Sequence, residues 1–403
     1  MVDPRVLCLA RMTRRILLAT SVNWPSAARL AGAFAAFGCA VEAVFPRGHV
    51  LGASRYLARA HLYRPLRPLS SFAAAIKAAE PDLIVPCDDR AVTHLLALGA
   101  AAPTFLPLLT RSLGALRSYP TMMRRSDAVA AARVEGVPAP LTIAVANRDE
   151  LFKALEVVGL PAVLKTDASW GGDHVAVART ALEASVAFTR LAGPPSRLRS
   201  LARAMLRKDA HFLHAAVSPM PARVHLQAFV AGKPATSALA CRDGEVLGAL
   251  HMDVVDWQGS TGPAAVIARI DCPFMEAAAR AVARRFNLCG LHGIDFIRDA
   301  AGVPHLIEIN PRATQICHLA LGEGHDLPAA LLGRPARPMV TDKPLIALYP
   351  QAWRDNPQGP RQAFRDVPWD DPAVLLASAG PGFVLEEEAL PPRRERLGGL
   401  VHS

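Results

Sequence analysis

Two stretches, Gly293-Ile294-Asp295-Phe296-Ile297-Arg298-Asp299 and His305-Leu306-Ile307-Glu308-Ile309-Asn310-Pro311-Arg312, constrain this chain more than any other feature. Apolar and polar residues alternate on both sides of a glycine-bearing gap, the pattern of a half-buried antiparallel hairpin. With Ala301-Gly302 as turn centre, Asp295 falls opposite Glu308, and the two-residue period puts Asn310 on the same face. Two carboxylates and an amide oxygen on one face form a hard-oxygen pocket suited to Mg2+. A cation would also answer the repulsion between the neighbouring carboxylates. The residues alone equally allow an exposed polar strand face.

A second segment runs from Pro161 through Ala162-Val163-Leu164-Lys165-Thr166 to Ser169-Trp170-Gly171-Gly172. Lys165 ends an apolar strand in a chain with only six lysines, where arginine is the usual cation. A compact ammonium suits a phosphate oxygen, and the turn at Ser169, Gly171 and Gly172 can offer backbone N–H groups to phosphates. No G-K-[ST] follows, so it is not a Walker A loop, and a plain hairpin turn is the alternative. Third, His225-Leu226-Gln227-Ala228-Phe229-Val230-Ala231-Gly232 reads as a strand entering a glycine turn, where a flat ring could lie against main-chain carbonyls.

Around these segments, apolar runs at 15–20, 40–45 and 82–86 alternate with helical patterns over 25–37, 70–79 and 90–98. That alternation predicts βαβ units and a parallel sheet, with a ligand crevice at strand ends 20–23 and 87–89. No G-x-G-x-x-G follows the first strand, which removes the main support for dinucleotide binding. A helix is expected over 122–135, strands over 141–145, 162–165 and 174–178, and mostly strand from 224 to 270. A further helix is expected over 274–286. Residues 194–214 read as a basic amphipathic insertion, and the last sixty residues as proline-rich and weakly periodic.

The 403 residues exceed one ordinary core. The net charge of +10 rests on arginine spread along the chain, without a finger, helix-turn-helix or aromatic-basic platform, so nucleic acid is not an expected partner. No run reaches the roughly 18–20 apolar residues of a membrane helix. Thr13-Arg14-Arg15 resembles a twin-arginine signal only superficially, because the apolar stretch after it is about five residues long. Seven cysteines without C-x-x-C spacing point to a reducing cytoplasm rather than to disulfides or zinc.

In order and spacing, the three segments resemble the ATP-grasp superfamily, especially the branch of carbamoyl-phosphate synthetase, biotin carboxylase and purine-pathway ligases. The resemblance covers about residues 90–333, and the first lobe by topology. It implies a mixed α/β and α+β fold: an N-terminal parallel-sheet pre-ATP-grasp lobe (1–118), then the two-lobed ATP-grasp domain (119–338). The latter would divide into a nucleotide-lid lobe at about 140–225 and a catalytic lobe at about 226–338, with an extension over 339–403.

Residue by residue, the resemblance implies Mg2+ (or Mn2+) on Asp295, Glu308 and Asn310, and ATP contacts from Lys165 and Arg125. Ser169, Gly171 and Gly172 would lie over the phosphates, with Gln227, Phe229 and Val230 in the adenine hinge and Arg312 facing the reacting carboxylate. The hinge departs from the family in lacking its glutamate near Gln227-Ala228 and an acidic ribose contact around 236–238. Asp295 stands where glutamate is common.

The activity so implied is ATP-dependent joining of a small-molecule carboxylate to an amine through an acyl phosphate. The rivals are a kinase or carboxylase acting on another acceptor, and a non-catalytic ATP-binding module. His174, His292 and His318 are the candidates for deprotonating the amine, and a homodimer is the family's common assembly.

Overall fold

Four short runs of the first lobe become parallel strands: β1 (Arg15–Ala19), β2 (Ala40–Phe45), β3 (Arg59–Leu62) and β4 (Leu83–Pro86), ordered β3-β2-β1-β4. β1 is apolar on both faces because helices cover both: Leu17 and Ala19 enter one core, Ile16 and Leu18 the other. β3 was not legible, since Arg59-Ala60-His61-Leu62 is an edge strand with mostly exposed side chains. The chain leaves β1 toward β2 on one side and returns at β4 on the other, which opens a crevice at the ends of β1 and β4. The computed structural model describes residues 13–166, 175–193, 223–258, 262–354 and 360–379.

The second lobe is an antiparallel sheet of β5 (Thr142–Val145), β6 (Ala162–Thr166), β7 (Val175–Ala178) and β8 (Val224–Ala228), ordered β5-β8-β6-β7. Helices Arg148–Val158 and Ala181–Ala192 bury Leu151, Leu155, Ala184 and Phe188 against it.

A seven-stranded sheet forms the third layer. It contains β9 (Lys233–Arg242), β10 (Glu245–Trp257), β11 (Ala264–Arg269), β12 (Gly290–Arg298), β13 (Pro304–Asn310), β14 (Leu345–Leu348) and β15 (Phe364–Asp366), ordered β13-β12-β9-β10-β11-β14-β15. Helix Pro273–Phe286 packs its Met275, Ala279 and Val282 into the core beneath Ile294 and Phe296 of β12. The segment beyond 339, expected as an extension, contributes β14 and β15 to this sheet. It also reaches back to the first lobe, where Asp371 accepts from Ser54 Oγ at 2.7 Å.

Two local departures position the site. The helix expected over 122–135 is two helices, Tyr119–Met122 and Arg125–Val134, because Arg124 is extended (φ −100°, ψ 113°). Arg125 therefore opens a new helix. In the hairpin, Phe296, Ile297 and Arg298 pair with Leu306, His305 and Pro304, and a β-bulge then shifts the register so that Asp295 pairs with Glu308 and Gly293 with Asn310. Without it Asp295 would face Ile307. The bulge lets Leu306 and Ile309 both enter the core with Ile294 and Phe296 while Glu308 turns to the opposite face beside Asp295.

No single helix among the described residues is long and apolar enough to cross a membrane.

Candidate active site

The face of β12 and β13 turned away from the helix-covered core carries Asp295, Glu308 and Asn310. Thr236, opposite Asp295 on β9, donates its hydroxyl to Asp295 Oδ1 at 2.8 Å, and Asn310 Nδ2 donates to Asp295 Oδ2 at 2.9 Å. Burial and the neighbouring Glu308 push the Asp295 carboxyl above the usual carboxylate range, against the pull of these bonds and of Arg312. Two like charges crowd one desolvated face, an arrangement that favours a cation.

Arginines bracket the carboxylates. Arg125, buried at the start of its helix, donates Nη2 to Glu308 Oε1 at 2.6 Å and Nη1 to the Thr166 carbonyl at 2.5 Å, tying the end of β6 to the acidic face. Arg312, just past β13, donates Nε to Asp89 Oδ1 at 3.1 Å and Nη2 to Asn310 Oδ1 at 3.2 Å. Burial would lower the Arg312 pKa, but Asp89 together with Asp88 and Glu308 raises it on balance and holds the guanidinium charged. Ala313 N donates to the Pro86 carbonyl at 2.9 Å, so the end of β13 is stitched to the end of β4. The acidic face thus borders the crevice of the first lobe.

Lys165 sits at the end of β6. Its Nζ donates to Gln227 Oε1 at 2.9 Å. Burial and the Arg125 charge lower its pKa to about 8, while Glu308 and Asp295 pull the other way, so Lys165 feels the acidic face across the lobe boundary. Gln227 is 2% exposed, and its Nε2 donates to Thr142 Oγ1 at 2.9 Å, whose hydroxyl hydrogen goes to the Pro140 carbonyl at 3.1 Å. That chain fixes the amide with its oxygen toward the lysine.

Of the residues expected from sequence, Arg125, Lys165, Gln227, Asp295, Glu308, Asn310 and Arg312 form this one cluster through direct bonds or mutual charge. Phe229, 43% exposed, and Val230 lie in the link between the second lobe and the seven-stranded sheet, outside the bonded cluster. Ser169, Gly171, Gly172, His174 and the 194–214 insertion lie outside the described residues.

Neither remaining histidine candidate is bonded into the cluster. His292 Nε2 pairs with the Cys289 carbonyl at 2.8 Å, and burial lowers its pKa to about 4. His318 Nε2 pairs with Asp366 at 2.7 Å. The residues given no role from sequence are Thr236, Thr142 and Asp89, the last lying in the strand-end loop 87–89 that was expected to border the crevice. Alternation along β9 could have flagged Thr236, whereas Asp89 meets Arg312 across 223 positions of chain.

Mg2+ usually takes one or two protein carboxylates and completes its octahedron with phosphate oxygens and water. Asp295 and Glu308, paired in register with lone pairs to spare, fit that demand. The described residues contain no group of three or more His, Cys, Asp or Glu able to hold a metal; beside the two carboxylates lies the Asn310 amide oxygen, which accepts from Arg312 Nη2 at 3.2 Å.

A parallel-sheet lobe, an antiparallel four-stranded lobe and a seven-stranded sheet carrying the acidic hairpin make up the ATP-grasp fold, and residues 206–315 match the model of an ATP-grasp domain. The chain has that fold, and the family match spans those residues.

Among solved structures, it is similar to N5-carboxyaminoimidazole ribonucleotide synthetase from Thermus thermophilus (17% identity, TM-score 0.56, 80% of this chain and 79% of that one). It is also similar to N5-carboxyaminoimidazole synthase from Aspergillus clavatus in complex with ADP and 5-aminoimidazole ribonucleotide (12%, 0.57, 80% and 78%). A third is the biotin carboxylase domain of the Hydrogenobacter thermophilus 2-oxoglutarate carboxylase with MgADP and bicarbonate (14%, 0.56, 82% and 72%). These identities speak for the fold. Curated protein sequences return no match.

Proposed function

We propose that this chain is an ATP-dependent carboxylate–amine ligase that works through an acyl phosphate. The observation that carries the reading is the convergence of Asp295, Glu308 and Asn310 with Arg125, Lys165 and Arg312 beside the β1/β4 crevice. Phosphoryl transfer needs positioning and charge neutralisation more than covalent help from the protein. Asp295, Glu308 and Asn310 would hold Mg2+, which when bound neutralises the nucleotide phosphates. Lys165, kept in place by Gln227, and Arg125 contact ATP. Ser169, Gly171 and Gly172 are proposed to cover its phosphates, and Phe229 and Val230 to flank the adenine.

Arg312 sits between the metal face and the crevice. There it can bind the substrate carboxylate, stabilise the charge that develops on transfer and hold the acyl phosphate for the amine. The product would be an amide, with ADP and phosphate. The six described cysteines are free, which suits the cytoplasmic location proposed here.

The test is ADP release from the purified protein with Mg2+, a pool of small carboxylates and a pool of amines, each omitted in turn. Release that needs Mg2+ and both pools supports the ligase. Release indifferent to the amine pool would instead favour a kinase or carboxylase acting on another acceptor.

A further inference from the structure

Two adjacent aspartates close the crevice at the end of β4, and they differ in one respect. Asp88 is fully enclosed and saturated: it accepts from Thr20 Oγ1 at 2.9 Å, Ser21 N at 2.5 Å, Ser21 Oγ at 2.7 Å and Ala91 N at 2.8 Å. Those bonds cap the helix Asp89–Ala101 and hold the strand-end loop, so its role is architectural. Asp89 accepts one side-chain bond, from Arg312 Nε to Oδ1. Its Oδ2 has no hydrogen-bond partner among the described residues, and the side chain is 24% exposed. This carboxylate therefore grips Arg312 with one oxygen and leaves the other open at the end of β4.

We propose, resting on the ligase reading above, that Asp89 is the catalytic base that accepts the proton from the attacking amine. As the nitrogen bonds to the acyl carbon, the C–O bond to the phosphoryl group breaks and inorganic phosphate leaves. The proton shed by nitrogen passes to Asp89 Oδ2 and then to solvent. Its position suits that role, because Arg312 fixes the acyl phosphate on one side of Asp89 and the free oxygen lies on the side from which a crevice-bound amine approaches.

Of the histidine candidates among the described residues, His292 and His318 are both engaged elsewhere. Burial, resisted by Arg312 and reinforced by Glu308, raises the Asp89 pKa, which makes it a stronger proton acceptor than an ordinary aspartate.

The test separates the two half-reactions. Hydroxylamine, a nucleophile already neutral at pH 7 and reactive without a base, traps an acyl phosphate as a hydroxamate. Wild type and Asp89→Asn, whose amide oxygen still accepts from Arg312, are supplied with Mg·ATP and pooled small carboxylates, with either hydroxylamine or pooled amino acids as acceptor.

The expected result is amide formation reduced 100-fold or more in Asp89→Asn while hydroxamate formation falls less than about threefold, with Asp89→Glu recovering part of the amide rate. Equal losses on both acceptors, with Mg·ATP binding intact, would overturn the base role and leave Asp89 as a positioning residue for Arg312. No loss on either acceptor would also overturn it. If wild type itself forms no hydroxamate from any carboxylate, the ligase reading falls, and the base role with it.

Discussion

Two buried arginine–aspartate pairs join the first lobe to the rest of the molecule, and they are built to opposite ends. In one, Asp366 of β15 accepts Arg29 Nη2 at 2.5 Å on one oxygen and pairs with His318 at 2.7 Å on the other. Burial alone would raise its pKa, but Arg29 and His318 together overcome that and bring it down to about 2. In the other, Arg312 engages one oxygen of Asp89 and leaves the second open, and there burial wins and the pKa rises.

The same ion-pair chemistry thus yields a clamp where both carboxylate oxygens are bonded and, on the proposal above, a reactive group where one is not. Satisfaction of the second oxygen decides which. A buried pair that is complete resists titration, while an incomplete one beside further carboxylates is poised for proton transfer.

The comparison breaks most sharply at Glu308. Glu308→Gln removes one of the two paired carboxylates and the charge that Arg125 Nη2 meets there, so ADP release is expected to fall by about 1,000-fold. Unfolding in denaturant should shift by no more than about 1–2 kcal/mol, because the side chain is only partly buried. A large stability loss with activity retained would reverse the two roles.

Asp366→Ala should do the opposite: removing one partner of a buried pair costs roughly 3–5 kcal/mol in denaturant midpoints, with ADP release per folded molecule kept within about twofold. The sign of its pH dependence follows from the depressed pKa. The stability it contributes is present above the ordinary aspartate range and lost as pH falls through about 4 toward about 2, which acid unfolding of wild type and variant would show.

Lys165 sharpens the picture from the ligand side. With its pKa lowered to about 8, it carries full charge below that pH and loses it above. ATP affinity by calorimetry should therefore be flat from pH 6.5 to 7.5 and drop up to about tenfold per unit above pH 8. Affinity indifferent to pH through 9.5 would mean that Lys165 does not meet the phosphates. Thr142→Val should have the smallest effect. Losing the hydroxyl that orients Gln227 costs about 1 kcal/mol, or roughly fivefold in KM for ATP with kcat unchanged, and Thr142→Ser should restore it.

Much of this site was legible because it is local. Alternation on both sides of a glycine turn marks the hairpin and its acidic residues, and Lys165 stands out in a lysine-poor chain. The bulge that produces the pairing was not anticipated, although Leu306-Ile307, two apolar residues together in an alternating strand, carries its signal. What stayed hidden is what depends on distance along the chain. Asp89 finds Arg312 over 223 positions and Arg29 finds Asp366 over 337, and no periodicity within a strand encodes either meeting. Nor could sequence tell Asp88 from Asp89, since the difference lies in whether Thr20 and Ser21 reach one carboxylate and not its neighbour.

The most direct test of the central claim follows the oxygen. With the carboxylate substrate labelled with 18O in both oxygens, turnover with Mg·ATP and amine should deliver one labelled oxygen to each inorganic phosphate released, read by the isotope shift in its 31P resonance. Phosphate released at the full rate without label would show that no acyl phosphate forms and would contradict the account.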